Sequence, residues 1–144
     1  MDIEDCIREG YLQKIPIEKD LIKKELKESE YDMKSAENAI GSEDFKWAIV
    51  KSYYSMFHAA RALLFSLGLK ERRHFAVEIV LEELNRKGKL ESRFIADFLA
   101  AMSSREDADY RYTYSKETAI AVFEAAENFL KEMKNKIKGS HKGN

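Results

Sequence analysis

After Pro16 the chain runs to its last residue without another proline, and its six glycines are too sparse to cut it into short pieces. A backbone so poor in helix breakers, with apolar residues recurring at helical spacing, has few options besides long helices. No stretch shows the period-2 alternation of a half-buried strand over a useful length. The expectation is an all-α, antiparallel bundle of about five to six helices. It forms one domain over residues 1–138, with 139–144 as a frayed tail.

The glycines and caps divide the chain. A short helix over about Ile3–Lys14 should end before Pro16, because the residue preceding a proline avoids helical geometry. A second, about Glu18–Ile40, carries Leu21, Ile22, Leu26, Tyr31, Met33, Ala36 and Ile40 on roughly one side. Gly41 suits a left-handed helix end and Ser42 the cap of the next helix. That third helix, about Glu43–Leu67, contains "WAIVKSYYSMFHAARALLFSL", which is apolar on nearly every side. Such a helix needs neighbours all round. Ser52, Ser55, Ala59 and Ala62 form a stripe of small side chains along it, where another helix can approach closely. A fourth helix, about Phe75–Arg86, stops at Gly88, and a fifth spans about Leu90–Asp109. The last is capped by Ser115, runs to about Lys138 and stops at Gly139.

Charge excludes little by itself. Lys and Arg number 25 against 26 Asp and Glu, so electrostatic binding must come from local patches. Cys6 is the only cysteine, which rules out a disulfide framework and a cysteine-based zinc site. The start "MDIEDC" lacks the basic-then-apolar pattern of a signal peptide, and Arg61 interrupts the best apolar run. A cytoplasmic protein with no membrane partner is expected. His58, His74 and His141 are far apart with no carboxylate at ligand spacing, so no metal is expected. Without a Gly-rich phosphate loop, serine elbow or kinase motif, no cofactor is expected either. His58, among Phe57, Ala59 and Ala60, reads as a buried histidine bonded to a neighbour.

One stretch stands apart. "SREDADYRYTY", Ser104–Tyr114, gathers two arginines, three tyrosines and three acids between apolar helical segments. Arg105 and Asp109 are spaced i, i+4, the geometry of a surface salt bridge worth a few tenths of a kcal/mol. The same residues suit a ligand: Arg105 and Arg111 for phosphate, Tyr110, Tyr112 and Tyr114 for stacking on bases. Arg72, Arg73 and His74 offer a second basic cluster at a helix start, equally readable as a solvated loop or part of a phosphate patch.

"YYSMFHAARALLFSLGL", Tyr53–Leu69, resembles the signature helix of HEPN-domain proteins, in particular the small stand-alone prokaryotic members. The resemblance continues through Arg72–His74 and "SREDADY", Ser104–Tyr110, and covers roughly Glu18–Met133. It implies an HEPN-like bundle that forms a homodimer and associates with nucleotides or RNA. A minimal nucleotidyltransferase is often its partner. The family's chemical signature is an arginine, four to six residues, then a histidine, sometimes with a tyrosine two residues later. In catalytic members that motif cuts RNA without metal at a cleft between the two subunits. Here Arg105 matches the arginine and Tyr112 the later tyrosine, while Tyr110 stands in the histidine position. A phenol with a reference pKa near 10 offers only about a thousandth of the base that imidazole, near 6.5, supplies at neutral pH.

Two functional expectations follow. The first is a dimeric nucleotide- or RNA-binding module, the partner of a nucleotidyltransferase in a toxin–antitoxin-like pair, with little catalysis of its own. Its ligand residues are Arg105, Asp109, Tyr110, Arg111, Tyr112, Arg73 and His74. The second is a metal-independent endoribonuclease toxin, with Arg105 and either Tyr110 or His74 as catalytic residues. A structural bundle without a ligand is the third alternative.

Overall fold

Fifteen of the 22 residues in Phe45–Ser66 are buried, so this helix, α3, is wrapped by the rest of the chain. The computed structural model describes the backbone of residues 1–142 and the side chains of residues 1–139. Its elements run α1 (Ile3–Arg8), β1 (Leu12–Lys14), α2 (Lys19–Gly41), α3, β2 (Leu69–Glu71), α4 (Phe75–Arg86), α5 (Ser92–Tyr110) and α6 (Lys116–Lys142). The result is the expected all-α, HEPN-like bundle, with α2, α5 and α6 packed along α3.

Small side chains set the spacing. Ser52, Ser55, Ala59 and Ala62 on α3 are wholly buried, as is Ser29 on α2. Ser29 Oγ donates to the Ser55 carbonyl at 2.7 Å, and Ser55 Oγ donates to the Ser29 carbonyl at 2.8 Å. The two hydroxyls lie 3.0 Å apart. Such a reciprocal clasp forms only where two helix backbones nearly touch. Around it the main core gathers Tyr53, Met56, Phe57, Leu63 and Leu64 of α3 with Val77, Leu81, Phe94, Phe98, Phe129 and Met133.

A second, smaller core closes the other end. Ala39, Ala48, Ile49, Ala108 and Ala119 come from α2, α3, α5 and α6, with Ile40 and Phe45 packed against them. Four alanines let four helix termini converge. The start of α3 is thereby brought beside the α5–α6 connection.

The structure departs from the sequence expectation at the punctuation. The first helix stops at Arg8, and residues expected to continue it to Lys14 turn at Gly10 and form β1. β1 pairs antiparallel with β2, Leu12 opposite Glu71 and Lys14 opposite Leu69. Three-residue strands are too short for alternation to register. Gly68 makes this ribbon possible: its φ is 74°, and a Cβ there would sit 3.1 Å from the Ile15 carbonyl oxygen. At the α2–α3 turn, Gly41 remains helical and Glu43 takes the left-handed conformation with φ 60°. Ser42 bonds back to the Asn38 and Ala39 carbonyls, so it closes α2 and does not start α3. Asp44 caps α3 instead, accepting from the Trp47 N–H at 3.4 Å. α6 continues through Gly139 to Lys142. Residues 143–144 of the expected tail, and the side chain of His141, lie outside the described residues. No helix among the described residues is long and apolar enough to cross a membrane.

The serine clasp makes a graded prediction. Ser55→Ala should cost about 1 kcal/mol, the net worth of a lost hydrogen bond. Ser55→Leu, which forces α2 and α3 apart, should cost roughly 3 kcal/mol. Urea unfolding of both variants checks this, and equal losses would show that helix spacing is not what the serines maintain.

Candidate functional site

The last turns of α5 carry Arg105, Asp109 and Tyr110 against the outer edge of α3. Arg105 Nη2 donates to the Tyr54 hydroxyl at 2.9 Å and lies 3.3 Å from Asp109 Oδ2. The guanidinium carbon sits 5.4 Å from the Tyr54 ring centroid, 5.2 Å from Tyr110 and 6.0 Å from Tyr53. Three aromatic rings thus surround one cation, an attraction that strengthens as water is excluded. Arg105 Nε is buried and has no hydrogen-bond partner in the protein. A guanidinium has five N–H donors, and here most are left unspent.

Tyr53 links this arginine to a histidine. Its ring is buried, edge-on to Tyr54 at 5.4 Å, and its hydroxyl is hydrogen-bonded to His74 Nε2. Burial pushes the Tyr53 phenol far above its ordinary value, so it keeps its proton throughout the neutral range. His74 stacks flat on Phe57, 4.6 Å between centroids and 2° between planes. Although the residue as a whole is exposed, its ring is partly covered by Phe57 and Tyr53; that partial burial, then the positive charge of Arg105, pulls the His74 pKa below its ordinary 6.5. His74 is therefore neutral at physiological pH.

The other histidine lives in the opposite field. His58 Nδ1 lies 2.7 Å from Glu25 Oε2 and its Nε2 lies 3.6 Å from Asp32. The hydrogen bond to Glu25, aided by both carboxylate charges, raises the His58 pKa above 6.5 despite burial. Burial likewise raises Asp32. Arg61 extends the network, 3.5 Å from Glu25 and with Nε 3.0 and 3.1 Å from the two oxygens of buried Glu71. This chain of ions ties α2 and β2 to α3. It fits the reading of His58 as a bonded structural histidine.

The residues singled out in the sequence divide accordingly. Arg105, Asp109 and Tyr110 come together, and His74 joins them through Tyr53. Arg111 stays outside, paired with Asp107 at 2.8 Å and largely exposed. Arg73 is exposed, and its side chain makes no hydrogen bond among the described residues. Tyr112 turns toward the start of α3, where Lys46 Nζ lies 5.6 Å from its ring and 5.4 Å from that of Trp47. Tyr53 and Tyr54 were not singled out from sequence, nor was Trp47. Trp47, Tyr54, His58 and Arg61 fall at i, i+7, i+11 and i+14, a polar-aromatic stripe down an otherwise buried helix. That stripe is the signal that would have found them. Among the described residues no group of His, Cys, Asp and Glu is placed to hold a metal ion.

A helical bundle of this kind, with one enclosed helix and an arginine–tyrosine cluster at its flank, defines a class of small all-α modules. The chain belongs to the HEPN domain family, whose model matches residues 22–136. One relative, from Methanocaldococcus jannaschii and described as a "Putative toxin", is 27% identical over 116 residues, 78% of this chain and 79% of its own. Another, a "UPF0332 protein" of Archaeoglobus fulgidus, is 31% identical over 88 residues, 60% of this chain and 70% of its own.

The two histidines should titrate apart and act oppositely on stability. His58 binds its proton more tightly when folded, so its contribution is complete below the unfolded value near 6.5 and fades as pH rises through the higher folded value. His74 binds its proton less tightly when folded, so its contribution holds above about 6.5 and is lost as pH falls through the lower folded value. NMR titration of the imidazole signals should place His58 above 6.5 and His74 below it. Glu25→Gln should bring the His58 midpoint down and leave His74 in place.

Proposed function

We propose that this HEPN module binds RNA or a nucleotide at the Arg105 cluster, pairs as a homodimer and works with a minimal nucleotidyltransferase in a toxin–antitoxin-like pair. The observation that carries this reading is an arginine ringed by Tyr53, Tyr54 and Tyr110 whose end nitrogens make a single hydrogen bond, to the Tyr54 hydroxyl. Charge-assisted N–H bonds suit phosphate oxygens, and exposed tyrosine faces suit bases. Asp109 competes for the guanidinium, but a single partly exposed pair is a weak rival to a phosphate. The toxin description of the Methanocaldococcus relative is in keeping with this role.

Cleavage is the second reading, and one observation favours it. His74 is neutral and joined through Tyr53 to the arginine cluster, so an imidazole base is at hand although Tyr110 stands in the histidine position. On the binding reading, labelled RNA stays intact or is cut only very slowly at neutral pH. Arg105→Ala weakens binding by roughly ten-fold, as expected for a lost charged contact, and lowers the melting temperature by only a few degrees, the part due to its packing on the rings. Robust cleavage that disappears in both Arg105→Ala and His74→Ala would establish the second reading. A large loss of melting temperature with binding intact would reduce Arg105 to a structural ion pair.

The dimer is checked separately. Light scattering at micromolar concentrations should give twice the chain mass, and a monomer would remove the shared cleft from this reading.

A further inference from the structure

Trp47, the only tryptophan in the chain, heads the solvent-facing stripe of α3 and is 44% exposed. Tyr112, on the α5–α6 connection, is 75% exposed. The Lys46 ammonium lies close to both rings, so two flat surfaces from distant parts of the chain flank one cation. The core does not require either ring, because the packing beneath them is made by the alanine cluster with Ile40 and Phe45. Tyr112 holds a φ of 54° just past the end of α5, where the Thr113 N–H turns back to the Asp107 carbonyl and closes the helix. That helix end holds its ring out in water over Lys46, where packing does not call for it.

We infer that Trp47 and Tyr112 form a stacking subsite for an unpaired base of single-stranded RNA, with Lys46 swinging from the rings to the strand's phosphate. This rests on the reading of Arg105 as a phosphate holder and adds the form of RNA that enters. Every base has a π-face, so aromatic platforms grip a single strand whatever its sequence. In a duplex those faces are already stacked on one another, and the platform has nothing to meet.

Neither Lys46 nor Lys51 is ion-paired among the described residues, although the Lys51 charge acts on Asp32. Of the acids on this side, Asp44 caps α3, Asp107 holds Arg111 and Asp109 holds Arg105, while Glu106 faces Tyr53 and His74. Trp47 precedes Tyr54 by seven residues, about 10 Å along the helix. A strand with a phosphate on Arg105, which Tyr54 positions, therefore reaches Trp47 by running along α3.

The lone tryptophan is its own probe. A mixed-sequence single-stranded RNA should quench Trp47 fluorescence to saturation, with the midpoint given by anisotropy of the same RNA carrying an end label. The blunt duplex of that sequence should leave Trp47 unchanged. Trp47→Ala should weaken binding roughly ten-fold and Trp47→Phe by no more than about three-fold, since a phenyl ring still stacks. Tyr112→Gly should weaken binding while raising the melting temperature, because glycine takes the left-handed φ without strain. Arg105-dependent binding without quenching, or at full affinity in Trp47→Ala, overturns the subsite and leaves the phosphate reading standing. Equal quenching by duplex and single strand overturns the selectivity. No binding by either readout defeats the Arg105 reading and the subsite with it.

Discussion

The near-contact of α2 and α3 is the constraint on which the remaining structure depends. Ser29 and Ser55 exchange side-chain hydrogen bonds with each other's carbonyls, which requires both helices to present small residues at the crossing. At that separation Glu25 and Asp32 of α2 reach His58 of α3, and Arg61 reaches back to Glu25. One flank of α3 is thereby sealed with ions. Tyr54, one turn ahead of His58 on the same stripe, and the adjacent Tyr53 are left for α5 and for the loop that carries His74. Helix spacing thus decides which faces of the central helix remain for chemistry.

The surroundings of the two histidines differ in kind. At His58 a hydrogen bond to Glu25 and the charges of Glu25 and Asp32 favour the protonated ring over the cost of burial. At His74 a buried phenol, an aromatic face and an arginine disfavour it, burial first and the Arg105 charge second, against a smaller pull from Glu71 and Glu106. The same side chain, 16 positions apart in sequence, is thus shifted in opposite directions. Residue type did not decide the direction. A hydrogen-bonding carboxylate in one place and its lack in the other did.

How much of this was legible in the sequence depends on how local the cause is. The helices were, because their signals lie within a few turns; α4 spans Phe75–Arg86 as read. The enclosed character of α3 followed from apolar residues on all its sides, and Ser52, Ser55, Ala59 and Ala62 marked the close approach. The α2–α3 turn was misread because Ser42 and Asp44 are both good caps, and which terminus each one serves depends on where the backbone reverses. β1 and β2 escaped because each strand exists only by virtue of the other, 57 positions away between Leu12 and Leu69. For the candidate site, Arg105, Asp109 and Tyr110 share one helix end and were visible together. The Tyr53–His74 bond spans separate elements, so no spacing rule reports it.

The small ribbon makes one end of the chain answer for a side chain far along it. The Tyr11 carbonyl receives the N–H groups of Arg72 and Arg73, and β1 pins β2, so the N-terminal arm fixes the segment that leads into His74. Arg105 has no such tie, because its place is set by the packing of α5 on α3 and by Tyr54. A loosened arm would therefore let the imidazole wander from Tyr53 while the guanidinium stayed where it is, so the two side chains are anchored independently within one small scaffold.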